Sequence, residues 1–407
     1  MKYILAVFWV LGTVFCANSQ IRSLEISNKS KNTIVDYTVE IPLESFPLSF
    51  ESYIVDVDGQ KVPLELSADL KGEKKIIFPL ALIQSGENKK VAIAPGDIQA
   101  YPKRTYAELS HKIGGTFEGN KYVGGYSWVK PNYMKVSGDF KDHAYYIKYE
   151  GPGWESDKVA FRFYLDQRNA MDVFAKKTSG IVLPQVGIDG YDNYHKMADW
   201  GMDQMQVGKT LGIGSIAYWD GQKAIRVEKR DSVICFVAAD GKIRSQVNTT
   251  YYGWNINNKK YDLKSLISID AGSRASHMEL LVDKGLDNLA TGIIKNNKAE
   301  FWTNKDSGSE WTYIATFGKQ SLNNDIQGLA VFARTRQIKE ITSDDLSHVV
   351  VLNPENGYVD YYFMPTWELD WEPVITKDDF QRCIDEVLAR LNNPCDVNII
   401  PAKKRTK

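Results

Sequence analysis

The chain reads as an all-β protein: a small N-terminal β-sandwich, then a large two-sheet antiparallel β-sandwich, closed by a C-terminal helix. Three observations predict this. Short runs of alternating apolar and polar residues, bounded by turn residues, recur along almost the whole length. Aromatic residues make up 12% of the chain, 22 of them tyrosine, which suits half-buried strands and sandwich cores. Only two segments carry a helical period. With 407 residues the chain is long enough to build two separate cores.

At the N-terminus, Lys2 precedes an apolar run from Tyr3 to Phe15, and the small or polar Cys16-Ala17-Asn18-Ser19-Gln20 follows. This is the layout of a secretory signal cleaved after Ser19, so residues 1–19 are expected to be removed and the protein exported to the periplasm. A lipoprotein anchor on Cys16, placing the protein at the outer membrane, is the rival reading; bulky Phe15 fits it poorly. No later segment approaches the roughly 18 apolar residues of a membrane span.

Residues 20–100 carry short strands such as "TIVDYTVEIPL", "SYIVDV" before Asp58-Gly59, and "KKIIFPLAL". They predict an immunoglobulin-like sandwich whose surface holds no chemical cluster, and hence a packing or spacer module. "GDIQAYPKRTYAEL" reads as a linker. From 101 to 375 strands are expected near 143–149, 158–166, 223–229, 231–239, 242–252, 276–283, 311–317, 326–334, 347–352 and 358–364. Without a repeat of about 40 residues, so many strands imply stacked sheets and not a propeller. The helical segments are 191–207 and 377–392; in the second, Phe380, Ile384, Val387 and Leu391 share a face and cap the domain. The basic residues 403–407 read as a frayed tail.

A net charge of −1 excludes the basic field that nucleic acid or an anionic membrane demands. Cys235, Cys383 and Cys395 are too few for a disulfide framework and lack metal-ligand spacing; Cys383 and Cys395 could pair in an oxidising compartment, leaving Cys235 as a buried thiol. No cofactor motif occurs, although a divalent metal stays open. Gly208-Lys209-Thr210 lacks the earlier glycine of a phosphate loop, since Asp203 stands in its place.

Two constellations could carry chemistry. In "DHAYYIKYEGPGWESDKVAFRFYLDQRN" (142–169) a period of two puts Val159, Phe161, Phe163 and Leu165 on one face and Lys158, Arg162, Tyr164 and Asp166 on the other. The expected neighbouring strand brings His143, Tyr145 and Tyr149 on one face and Tyr146, Lys148 and Glu150 on the other. The turn between them places Trp154 and Glu155 at a rim, where an indole could stack on a sugar and a carboxylate hold its hydroxyls. Ordinary cross-strand pairing is the competing account. In "DNYHKMADWGMDQMQVGKTLGIGSIAYW" a helix would set His195, Asp199 and Asp203 at i, i+4 and i+8, an imidazole backed by carboxylates. A surface row of ion pairs is the competing account there. Glu150, Glu155, Asp166 and Asp199 are available for glycoside hydrolysis, but no pair can be selected from spacing. Of the other histidines, His277 and His348 read as strand residues, and His111, before a glycine turn, as a residue edging the cleft.

The runs "YEGPGWESDKVAFRFYLDQRNAMDVFAKKT" and "YHKMADWGMDQMQVGKTLGIGSIAYW" resemble a secreted bacterial family of unknown function from polysaccharide-utilisation loci that includes ulvan-oligosaccharide dehydratases. Later segments such as "RSQVNTTYYGW" are similar to galactose-mutarotase-like sandwiches. The resemblance implies a carbon–oxygen lyase that removes water from a non-reducing-end uronic acid, leaving a 4,5-unsaturated sugar. Chemistry then assigns parts: Arg162, Arg168 or Lys176 to neutralise the uronate, His143 or His195 as base, Tyr146 or Tyr164 as acid. A polysaccharide lyase, a hydrolase, or a binding module stacking sugar on Trp154, Trp200 or Trp254 would use the same parts.

Overall fold

Alternating apolar side chains build two cores. In the computed structural model, which describes residues 22–49, 51–98, 100–137 and 140–400, the first core lies between two small sheets. The expected signal segment 1–19 and the tail 403–407 lie outside the described residues. One sheet runs in the order 396–400, 22–27, 88–95, 53–57 and 60–63; the other in the order 34–42, 74–83 and 65–68. Leu24, Ile26, Val55 and Ile93 from the first meet Ile34, Val39, Ile76 and Phe78 from the second. The first sheet ends on a strand absent from the sequence reading. Asp396–Ile400 pairs antiparallel with Arg22–Ser27, so the C-terminal segment completes the N-terminal sandwich. Its five residues are mostly exposed, and an exposed edge strand leaves little hydrophobic alternation to read.

The second core lies against one face of a nine-stranded antiparallel sheet, in the order 134–137, 232–240, 244–256, 259–270, 276–282, 358–367, 327–334, 311–318 and 299–303. The facing layer is split into two five-stranded sheets. One runs 201–203, 171–176, 160–163, 153–156 and 105–108; the other runs 224–226, 217–219, 289–294, 347–352 and 338–343. They meet through isolated bridges from Gly212 to Met171 and from Ile213 to Ile293. Gly212 has φ +53°, and a Cβ there would lie 2.1 Å from the Met171 carbonyl oxygen, so this crossing admits only glycine. Trp154, Phe161 and Phe163 from one half-layer, and Leu289, Ile293 and Leu352 from the other, share a core with Val247, Tyr251 and Tyr361 of the large sheet.

The outer face of the nine-stranded sheet carries the helix Lys377–Asn392, with the boundaries expected. Thr376 and Asp379 form a reciprocal capping box at its start. Phe380 and Ile384 are buried against Trp302, Phe317 and Phe332. The other expected helix, 191–207, does not form. Residues 193–195 make one 3₁₀ turn and 201–203 a strand, because Gly201 at φ +133° presses so close to the Ala175 carbonyl that a Cβ would stand 1.8 Å away. The expected strand 143–149 is also absent. His143, Tyr145, Tyr149 and Glu150 all have positive φ, which no strand tolerates. Instead a largely exposed ribbon, 111–118 with 121–129, packs on this loop, Tyr122 donating to the carbonyl of Ala144. Cys383 and Cys395 sit in different clusters as separate thiols, so the expected pairing is not made; Cys235 is a buried thiol as expected.

The helix thus depends on one aromatic anchor. Phe380→Ala should cost about 3–5 kcal/mol of stability, read by urea unfolding of the whole chain, and a loss below about 1 kcal/mol would show that the helix is not docked as described.

Candidate functional site

Strand 160–163 directs Phe161 and Phe163 into the main core and Arg162 the opposite way, into a second buried layer where its side chain is 2% exposed. The register puts Arg162 opposite Asp172 on strand 171–176. Its Nε and one terminal nitrogen donate to Asp172 Oδ2 at 3.1 and 2.8 Å, and that nitrogen also reaches Asp203 Oδ2 at 2.6 Å. The other terminal nitrogen donates to the Tyr194 hydroxyl at 2.8 Å and lies 3.5 Å from Glu150 Oε2. The Tyr164 hydroxyl accepts from Arg162 and donates to Asp172. Three carboxylates and two phenols therefore surround one guanidinium.

Burial alone would lower the Arg162 pKa, but the facing phenols and carboxylates hold it well above the ordinary value. Burial pushes Tyr164 well up, and it also raises Asp172, an effect the neighbouring Asp203 charge adds to and Arg162 and Tyr164 oppose. Gly151 makes this packing geometrically possible: a Cβ there would lie 1.8 Å from the Phe163 carbonyl oxygen, so only glycine lets the Glu150 backbone lie on the Arg162 strand.

The network reaches the surface at two ends. At one, His195 Nε2 lies 3.2 Å from Asp203 Oδ2, with its imidazole 39% exposed and its ring against Tyr194. At the other, Arg168 holds Asp166, Glu150 and Asp142 and stacks over the Tyr164 ring at 3.8 Å. His143 Nδ1 sits 2.6 Å from Asp142 Oδ1, and the His143 backbone N–H donates to Glu150 Oε1 at 3.1 Å. Ligand atoms of Asp142, His143 and Glu150 lie within 4.8 Å of one another, close enough to hold a metal ion, although Arg168 occupies the same two carboxylate oxygens.

Several residues expected to meet substrate are elsewhere. Trp154 is fully buried, stacked on Phe161 and donating to the Ser276 hydroxyl; it belongs to the core and not to a rim. Glu155 is equally buried, accepting from Lys176 at 2.9 Å and from the Val182 and Leu183 backbones. That pairing also withdraws Lys176 from any substrate. Trp254 is a core residue with no exposed surface. Asp166 is buried as the partner of Arg168. Tyr146 packs on His111, Phe117 and Tyr122 of the ribbon. Asp199 is exposed and takes no part in the His195 network, because the helix that would have aligned them is absent; Trp200 is half-buried, edge-on to Phe174. The sequence reading passed over Asp172 and Tyr194. The signal for Asp172 was a carboxylate in the apolar strand "MDVFAK", one strand from Arg162.

A family model described as Domain of unknown function (DUF4861) matches residues 26–397, so the chain belongs to that family. "Uncharacterized protein P7" of Formosa agariphila is 28% identical over 275 residues, which is 60% of this chain and 66% of the relative. Two solved structures from Enterococcus faecalis are similar at low identity. A protein in glycosyl hydrolase family 38 gives TM-score 0.47 at 8% identity, covering 94% of this chain and 48% of its own. An alpha-mannosidase gives 0.48 at 7%, covering 94% and 46%. The chain thus spans just under two thirds of the relative's length and about half of each solved structure's.

The buried cluster should leave a pH signature. The raised Asp172 carboxyl binds its proton more tightly in the folded than in the unfolded chain, so its contribution is complete below the ordinary aspartate pKa of about 4 and is lost as pH rises through the raised value. Urea unfolding from about pH 4 upward should show that fall, and Asp172→Asn should flatten it. Parallel slopes for parent and variant would refute the assignment.

Proposed function

We propose that this member of the DUF4861 family is an exported carbon–oxygen lyase that removes water by β-elimination from the non-reducing-end uronic acid of an oligosaccharide. The observation supporting this most directly is the half-exposed His195 imidazole backed by a fully buried carboxylate, Asp203. With Nε2–H donating to Asp203, the free lone pair is on Nδ1, the atom that would accept a proton. Asp203 is held in turn by Arg162, so the imidazole keeps one tautomer and one orientation.

In the proposed reaction His195 Nδ1 takes the C5 proton, the C5–H electrons form the C4–C5 double bond, and the C4 hydroxyl leaves as water with one added proton. The buried phenol of Tyr164 and the buried guanidinium of Arg162 position the base and do not touch the sugar. Of the three cations first considered for the uronate, Arg168 is the one whose side chain reaches solvent; His143, held by Asp142 at that same end of the network, is the proton donor for the leaving hydroxyl in this proposal, which requires one sugar to reach from there to His195 at the other end. A uronate meeting Arg168 would compete with the half-exposed Asp142 and would delocalise the charge that grows on it during proton abstraction. Among the described residues no helix is long and apolar enough to cross a membrane.

Incubation with saturated uronosyl oligosaccharides should produce ultraviolet absorbance from the conjugated double bond and the mass loss of one water without chain shortening. His195→Ala should lower kcat by about 10²–10⁴-fold with KM little changed, and Arg168→Gln should both raise KM and lower kcat. Parental turnover in His195→Ala would exclude the imidazole as base, and shortened products would replace the dehydratase by a chain-cleaving lyase or hydrolase.

A further inference from the structure

A cavity of about 390 Å³ lies where three parts of the fold meet: strand 34–42 of the small sandwich, the outer face of the nine-stranded sheet, and the helix 377–392. Its size falls within the roughly 300–1,000 Å³ of small-molecule sites, and junctions between domains are where such sites concentrate. None of its lining residues belongs to the His195 network.

Its ion pairs leave one guanidinium over. Three carboxylates line it, and each is already answered: Asp36 by Arg104 at 2.8 Å, Glu40 by Arg244 at 2.6 Å and Lys75 at 2.8 Å, and Asp270 by Arg244 at 2.5 Å. Arg334 is held by Asp360. Arg390 has no carboxylate within ion-pair distance among the described residues; its one hydrogen bond is to the Val35 carbonyl oxygen at 2.7 Å. Burial lowers its pKa, and the more distant charges of Glu386, Asp36 and Asp270 oppose this without overcoming it. One further polar group is open to a ligand. Tyr362 lines the same cavity, is stacked on His277 at 4.2 Å, and its hydroxyl bonds to no described residue.

We propose that this cavity binds a compact hydroxylated carboxylate, such as an aldonate or a free sugar acid. Arg390 supplies the missing ion pair for the ligand's carboxylate, and the Tyr362 hydroxyl donates to it or to a neighbouring oxygen. The lining carboxylates Asp36, Glu40 and Asp270 accept from the ligand's hydroxyls. This last feature selects the ligand class. A phosphate dianion brings more negative charge toward three carboxylates and offers no row of hydroxyl donors, whereas a polyhydroxylated monoanion matches both signs of the lining. Trp311 is already covered by Arg334 and Tyr362 by His277, which leaves polar contacts as the main means of recognition. The proposal stands apart from the elimination chemistry at His195.

Calorimetry on the full chain with D-gluconate, D-glucuronate, glucose and inorganic phosphate tests it. At least one sugar acid should bind, with glucose and phosphate weaker by about ten-fold or more, as expected for loss of one charge-assisted hydrogen bond. Arg390→Gln should weaken the sugar acid by about ten- to a hundred-fold, and Tyr362→Phe, which keeps the ring on His277, should weaken it less while melting near the parent. Arg168→Gln, which weakens a uronate at the proposed catalytic site, should bind the sugar acid here like the parent, and this separates the two sites. The proposal is overturned if neither sugar acid binds at millimolar concentration, if glucose or phosphate binds as tightly, or if Arg390→Gln binds unchanged. Turnover at His195 is unaffected by any of these outcomes.

Discussion

One guanidinium buried between two carboxylates organises the large domain. Taking Arg162, Asp172 and Asp203 out of water is expensive, and the attraction among them repays that cost only if every donor and lone pair is aimed correctly. The two tyrosine hydroxyls complete that aim, and the whole cluster hangs on the register of strands 160–163, 171–176 and 201–203. Deleting one partner would strand a charge in the interior at a cost of about 3–5 kcal/mol. A cluster of this kind defines geometry more than it adds stability, since an apolar replacement of equal volume would hold the strands as well. Its benefit is that His195, on an irregular loop, is oriented by a carboxylate that cannot move.

The same constraint explains why the loop 142–150 takes up a costly backbone. Four residues with positive φ in eight positions carry strain of the order of 1–3 kcal/mol each, and they persist because Glu150 is fixed from two sides, by Arg162 within and by Arg168 toward the surface. Strain concentrated in a segment that also carries His143 and Asp142 is characteristic of loops built for positioning rather than for packing.

How much of this was legible in the sequence differed from residue to residue. Alternation correctly separated Phe161 and Phe163 from Arg162, and the i, i+4, i+7 spacing of Phe380, Ile384 and Val387 correctly gave the helix, because both patterns report one buried face. The same logic misled at Trp154 and Glu155. Strand 153–156 is buried on both faces, between the main core and the Arg162 layer, and there a tryptophan and a paired carboxylate are interior residues that composition cannot tell from a rim. His195 was singled out for an alignment with Asp199 and Asp203 on a helix that does not exist; its contact with Asp203 is real but comes from a turn and a strand. Asp172 was passed over because one acidic residue in "MDVFAK" breaks the pattern only mildly, and its meaning needs the cross-strand register.

The N-terminal sandwich does more than space the chain. Arg104 joins Asp36 of that sandwich to Asp157 beside the Trp154 strand, and Arg244 of the large sheet joins Glu40 to Asp270. Burial raises the Glu40 carboxyl, but Arg244 and Lys75 overcome this and hold it at about 2, so the link stays charged through the whole neutral range. The strand 396–400 then fastens the end of the chain to the beginning, which places the C-terminal helix across the junction instead of leaving it on one domain. Three elements from distant parts of the sequence are thereby locked around one polar space. Because each wall comes from a different element, no local sequence pattern could have revealed it, and the unpaired guanidinium of Arg390 becomes visible only when the partners of every other charge around that space have been assigned.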